Sequence, residues 1–192
     1  MARIVSIRED GDWIELRPRA KAIEGVLTRE EFYRLFAAAQ DHKDKIILAL
    51  AIMGMRASEI AKITKDYVDL VRKEINVPEH IAKKRHGRTI PYGKFTRLSP
   101  IVDAYFFLND KIGLSRKTVW ARIKKIAKLA GIPKPVTPNG LRATGATLAA
   151  SAGLSVQALR ELFGWKYIQT AQYYIERAAG TASKELEGKE II

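Results

Sequence analysis

The 192-residue sequence contains no cysteine and only three histidines. Without thiols there can be no disulfide framework, no thiolate metal site and no cysteine nucleophile. His42, His80 and His86 are scattered, and neither a His-x-x-Glu-His pair nor a cluster of carboxylates accompanies them, so metal-dependent hydrolysis has no visible site. There is no Gly-x-x-x-x-Gly-Lys loop to cradle a nucleotide and no serine-hydrolase elbow. The longest apolar stretch, Ile46 to Met55, is too short to cross a bilayer, and Arg8, Glu9, Asp10 and Asp12 interrupt anything like a secretory leader. The expectation is a soluble, cytoplasmic protein that needs no cofactor.

Acidic residues are the other deficit. Lys and Arg number 34 against 21 Asp and Glu, a formal net charge of +13. Between His80 and Arg160 there are sixteen bases and only Asp103 and Asp110 as acids, so the whole excess lies in the middle of the chain. A field concentrated in this way attracts a polyanion, and each cation set near a phosphate adds a counterion-release contribution to affinity. It reads as a nucleic-acid footprint, not a membrane-binding face, since a surface built for solubility alone normally mixes both signs. The 47% of hydrophobic residues is enough to bury a core in a chain of this length.

Hydrophobic periodicity predicts a mainly α chain with a small antiparallel β-sheet, an α+β class. Ile4 to Pro18 alternates around Asp10-Gly11-Asp12, a hairpin pattern. Thr28-Arg29-Glu30-Glu31 has capping-box spacing and opens a helix to about Gln40. Helices are expected at about 44–54, 57–63, 95–108, 115–130, 138–152, 155–163 and 168–178. Two strands, at about 73–78 and 88–92, flank the basic turn Lys83-Lys84-Arg85-His86-Gly87. Three units follow: residues 1–26 as a hairpin or linker, 27–179 as the main domain, and 180–192 as a charged tail whose apolar Ile191-Ile192 end could contact a neighbouring subunit.

With metal and thiol chemistry set aside, a tyrosine or serine hydroxyl supported by arginines and a lysine is what remains for attack on a phosphodiester. Four segments supply such groups. Gly54-Met55-Arg56-Ala57-Ser58-Glu59 sets Arg56 where a helix begins, with Glu59 three residues on, close enough to bond back to the turn. The basic turn supplies Lys83; Lys84 adjoins it, but counting back from Arg88-Thr89-Ile90-Pro91 favours Lys83. Asn139 and Arg142 lie one helical turn apart after Thr137-Pro138. Gly164-Trp165 is followed nine residues after Trp165 by Tyr174. Tyr173 and Tyr167 compete with Tyr174, and neighbours on a helix point about 100° apart, so one of the pair 173/174 faces the core and the other outward.

In order and in internal spacing these four segments resemble the boxes of the tyrosine recombinase (integrase) superfamily, of Xer-like and archaeal type. The matching patterns are the G-L-R-x-S-E box, the hairpin lysine, the H-x-x-R box and the L-G-H/W box before the tyrosine. They cover roughly Leu27 to Arg177 and correspond to the family's C-terminal catalytic domain, without the separate N-terminal helical domain. The resemblance implies the catalytic-domain fold and cleavage and rejoining of double-stranded DNA through a 3′-phosphotyrosine, with neither ATP nor metal. Tyr174 would be the nucleophile, Arg56 and Arg142 would hold non-bridging phosphate oxygens, and Lys83 would protonate the leaving 5′ oxygen. Glu59 would support Arg56, and Trp165 would donate its indole N–H. It also implies a tetramer on paired sites, compatible with a monomer when the domain is isolated, and a location on the nucleoid.

One departure matters for chemistry. Asn139 stands where His or Lys is usual, and an amide donates a hydrogen bond but takes no proton at neutral pH, leaving the general base open. DNA contacts are expected from Lys84, Arg85 and Arg88 around the basic turn, and from Arg116, Lys117, Arg122, Lys124 and Lys125 on the helix after Ser115. A rival class is a regulator without chemistry, since Ala149 to Phe163 has a helix-turn-helix rhythm. A recombinase that binds but does not cleave would account for Asn139, and type IB topoisomerase activity is chemically adjacent.

Overall fold

Seven consecutive residues, Ile46 to Ile52, are all buried, so the helix that holds them has no solvent face beyond its first turn and must run through the centre of the molecule. The computed structural model describes residues 24–82 and 87–179 in full, and the backbone alone at Val5–Ile7, Trp13–Glu15 and 180–186. In it that helix, α2 (His42–Ile52), is enclosed by four others: α3 (Ala57–Ile60), α4 (Ser99–Leu108), α5 (Arg116–Leu129) and α6 (Pro138–Ser151). Helix α1 (Arg29–Ala37) packs on α5, while α7 (Val156–Phe163) and α8 (Ile168–Leu186) pack on each other and on α6.

The strands β1 (Val5–Ile7) and β2 (Trp13–Glu15) pair antiparallel with Ser6 opposite Ile14; the turn expected between them lies outside the described residues. Strands β3 (Val68–Asp69), β4 (Glu74–Val77) and β5 (Arg88–Ile90) form an antiparallel sheet in that order. Its register sets Ile75 opposite Ile90 and Val77 opposite Arg88. The fold is thus mainly helical with a small three-stranded antiparallel sheet, as the periodicity predicts, and a separate two-stranded pair. Strand β3 has no counterpart in the sequence reading, because two residues show no alternation. Helix α8 continues to Leu186, past the expected end near Ala178. No helix among the described residues is long and apolar enough to cross a membrane.

Local chemistry accounts for the helix starts. Thr28 and Glu31 complete the capping box on α1: the Thr28 hydroxyl accepts from Glu31 N–H and the Glu31 carboxylate from Thr28 N–H. Asp41, Ser115, Thr137 and Ser155 each cap the following helix through the side-chain oxygen. Asp41 and Asp44, at the start of α2, also hold Arg122 of α5 at 2.9 and 2.6 Å, which joins the two helices at one corner.

What determines the shape around the site is how closely α6 approaches α2. The facing residues of α6 are small, and a methyl group added at Gly145 would fall 1.8 Å from the Ile52 carbonyl oxygen, which is backbone and cannot step aside. Gly145→Ala must therefore push α6 away from α2 and open the core; we expect a loss of about 3 kcal/mol in urea unfolding. A loss under about 1 kcal/mol would show that the helices can part cheaply.

Candidate active site

Two turns meet at Arg88 of β5, and both depend on glycine. Gly54, after α2, has φ +99°, and a Cβ there would lie 2.9 Å from the Phe163 ring. Gly164 ends α7 in the left-handed conformation at φ +57°, where a Cβ would meet the Arg88 side chain. The end of a helix leaves carbonyl oxygens without partners and carries partial negative charge, so it attracts cations. Here three guanidinium groups converge on the end of α7. Arg88 Nε donates to Leu162 O at 3.1 Å, Arg142 donates to Phe163 O, and Arg56 Nη2 lies 3.5 Å from Gly164 O. Arg142 and Arg88 both donate to Gly54 O as well, joining the two turns.

One carboxylate balances this concentration of positive charge. Glu59 is fully buried on α3 and accepts from Arg56 N–H and Arg56 Nη1, each at 2.9 Å, and from Arg88 Nη2 at 2.7 Å. Burial raises its pKa, but the hydrogen bond and charge of Arg88, with further bonds from Arg56, outweigh burial and hold it at about 2. Arg142, on α6, is 6% exposed, and burial together with the charges of Arg56 and Arg88 lowers its pKa from the ordinary value. A guanidinium starts so high that it remains a cation.

A stack of aromatic rings lies beside these arginines. Trp165 stacks on Phe163 with centroids 5.0 Å apart and on Tyr174 at 5.0 Å, the latter pair tilted by 2°. The Arg142 guanidinium carbon is 5.5 Å from the Phe163 centroid and 5.8 Å from that of Trp165, so the cation leans on π-faces where it is not hydrogen-bonded. Of the two adjacent tyrosines Tyr174 is the inward one, 3% exposed, and burial pushes its phenol up to about 12 against the pull of Arg142. Tyr173 is half-buried and accepts from Arg177 at 3.3 Å.

The structure thus gathers Arg56, Glu59, Arg142, Trp165 and Tyr174 at one place from three of the four segments. Asn139 is exposed, one turn before Arg142. Lys83, Lys84 and Arg85 lie outside the described residues. Arg116, Lys117, Lys124 and Lys125 are exposed on α5, whereas Arg122 of the same helix is half-buried between Asp41 and Asp44. The Arg88 side chain, expected at a DNA surface, is instead 4% exposed and turned into the site. Alternation along β5 carried that signal: Ile90 is core, so Arg88, two residues earlier, shares its face. The carbonyl oxygens of both turns had no sequence signal, since any residue supplies a carbonyl. Helix α7 of the helix-turn-helix pattern buries Leu159, Leu162 and Phe163 and ends in the site.

Such an arrangement, with guanidinium forks beside a tyrosine, defines a class of domain suited to phosphoryl transfer through the protein's own hydroxyl. Residues 25–180 match the model of the phage integrase family, and the chain belongs to that family, with Xer-type tyrosine recombinases among its relatives. It is 30% identical over 189 residues to tyrosine recombinase XerA of Thermococcus kodakarensis, covering 90% of this chain and 65% of that protein. The chain therefore spans a little under two thirds of that relative's length. The solved structure of XerA recombinase shares the fold with a TM-score of 0.71 at 24% identity, over 86% of this chain and 66% of that one. The Tn1549 transposon integrase in complex with transposon right end DNA does so with a TM-score of 0.63 at 15% identity, over 88% and 67%.

The Glu59 environment has a consequence for stability. The fold binds the carboxylate form, so the contribution is present above the unfolded-state value near 4.5 and lost as pH falls towards about 2. That difference corresponds to about 3 kcal/mol. Urea midpoints taken from pH 6 down to pH 2 should fall more steeply for the wild type than for Glu59→Gln, and parallel curves would refute the assignment.

Proposed function

We propose that this chain is the catalytic domain of a site-specific tyrosine recombinase that cleaves and rejoins double-stranded DNA through a 3′-phosphotyrosine bond. The observation that carries the reading is Tyr174 stacked on Trp165 beside Arg142, with Arg56 and Arg142 both reaching carbonyl oxygens at the end of α7. Family membership and the likeness to an integrase in complex with DNA support it. In this reading residues 27–179 form the catalytic domain, preceded by a hairpin segment and followed by a tail that contacts a neighbour in a tetramer on paired sites. The exposed bases of α5 and those of the basic turn hold the duplex, and the protein acts where DNA is, on the nucleoid.

The Tyr174 oxygen attacks the scissile phosphorus and the 5′ oxygen leaves, taking a proton from Lys83. Charge building on the non-bridging oxygens is met by the guanidinium forks of Arg56 and Arg142, which suit two oxygens better than an ammonium point charge would. The energy of the broken ester is kept in the phosphotyrosine, so reversal by a 5′-hydroxyl reseals a strand without ATP. With a phenol near 12, only about one Tyr174 in 10⁵ is ionised at pH 7, so its proton has to leave during attack. Asn139 cannot take it, and a water or another side chain must. At 3% exposure the Tyr174 ring also has to shift with α8 to reach a duplex.

A nicked duplex that loses its leaving strand after cleavage should trap a denaturation-resistant adduct with the wild type and with Tyr173→Phe, and none with Tyr174→Phe. The opposite pattern would assign the nucleophile to Tyr173. Alanine at Arg56 or Arg142 should slow adduct formation by about 100-fold or more, while DNA affinity drops only a few-fold, because one phosphate contact is a small part of total binding. Equal loss of affinity and cleavage would favour a binding-only protein.

A further inference from the structure

The arginine that opens β5 belongs to neither the nucleophile nor the set of exposed bases. Arg88 uses one guanidinium to join three elements: Leu162 O at the end of α7 (3.1 Å), Gly54 O in the turn after α2 (2.9 Å) and Glu59 Oε2 on α3 (2.7 Å). A second contact, from Nη1 to Glu59 Oε1, is 3.4 Å. Gly164 closes over its side chain, a Cβ there falling 2.9 Å from Arg88 Cδ, so the group is enclosed on the side facing the α7 turn. Four of its five N–H donors are thus directed at protein oxygens and the side chain is 4% exposed, so it has little to offer a passing phosphate. It does touch the carboxylate that orients Arg56, since Glu59 bonds the Arg56 backbone N–H and its Nη1. In sequence it immediately follows the basic turn that carries Lys83.

We propose that Arg88 is a positioning residue for DNA cleavage: by holding Glu59 and the Gly54 and Leu162 carbonyls it keeps the Arg56 fork aimed at the scissile phosphate and anchors the strand that follows Lys83. The assignment rests on the tyrosine-nucleophile reading. The geometry gives Glu59 two arginine partners that share its two oxygens, so removing Arg88 leaves the carboxylate to Arg56 alone. Arg56 is then drawn toward Glu59 and away from the phosphate. Among the described residues the charged groups facing Glu59 are Arg56 from the turn before α3, Arg88 from β5 and Arg142 from α6, and without Arg88 the Glu59 carboxyl should protonate at higher pH.

The test uses the full chain on the adduct-trapping duplex, with Arg88→Gln and Arg88→Lys compared with the wild type for DNA affinity, its salt dependence and the cleavage rate at saturating DNA. Arg88→Gln should cleave about 100-fold more slowly or worse, with affinity within about 3-fold and an unchanged salt slope. The acid limb of its pH–rate profile should move upward, Arg88→Lys should recover part of the rate, and adding Glu59→Gln should cost less than about 3-fold more. A weaker affinity with a salt slope smaller by about one, and normal cleavage once bound, would make Arg88 a phosphate contact and overturn the proposal. Loss of the fold in both variants, or earlier melting with a wild-type rate per folded molecule, would assign it to stability alone and overturn it too. A wild type that forms no adduct would remove the tyrosine reading itself, and this proposal with it. That result is separable from an active wild type with active Arg88 variants.

Discussion

A single buried carboxylate makes the site possible. Three guanidinium groups set against one another in a low-dielectric interior would repel, and each would lose hydration with no return. Glu59 removes most of that conflict, because its two oxygens take hydrogen bonds from both Arg56 and Arg88, while Arg142 lies within reach of its charge. What it leaves unbalanced is met by carbonyl oxygens that the fold leaves spare. The end of α7 and the Gly54 turn supply three of them, Leu162 O, Phe163 O and Gly54 O, the first two bearing the partial negative charge that any helix end carries. Net positive charge remains, and a site for a phosphodiester requires that.

The same contacts explain why the glycines stand where they do. Gly54 and Gly164 have positive φ, and neither has room for a side chain, so the two turns lie against Phe163 and Arg88. Gly145 brings α6 against α2, and with it Arg142 against the Gly54 carbonyl. Packing and chemistry are therefore one problem: the close helix approach that completes the core also delivers the second arginine. The Phe163, Trp165 and Tyr174 stack extends that core to the edge of the site, which gives the tyrosine a fixed ring plane at the cost of accessibility.

Much of the architecture was legible in the sequence. The capping box at Thr28 and the 3.6-residue spacing of apolar positions located most helices to within about a turn, because these signals are local. Strand β3 and the extension of α8 were not, one being too short to show alternation and the other lacking a stop signal at Ala178. Within the candidate site Arg56, Glu59, Arg142, Trp165 and Tyr174 were each singled out from spacing and resemblance. Arg88 was read as a surface base, since a charge count does not distinguish a cation facing water from one facing a carboxylate, although Ile90 two residues on pointed inward. Helical spacing showed that one of Tyr173 and Tyr174 must face inward, and the fold makes Tyr174 the buried member of the pair.

By itself the sequence determined the residue types, their order and the periodicities: a polyanion-binding charge balance, no thiols, a mainly helical chain, and arginine, lysine and tyrosine boxes at spacings shared with a known family. Only the tertiary structure decided which cations meet one another. That decision depends on contacts between residues as far apart as Gly54 and Arg142, or Glu59 and Arg88, and such contacts leave no trace in local periodicity. It also depends on backbone carbonyl oxygens, which every residue carries and no side chain announces. Their orientation exists only once two helices have ended at the same place, and in this protein that meeting turns scattered arginines into one site.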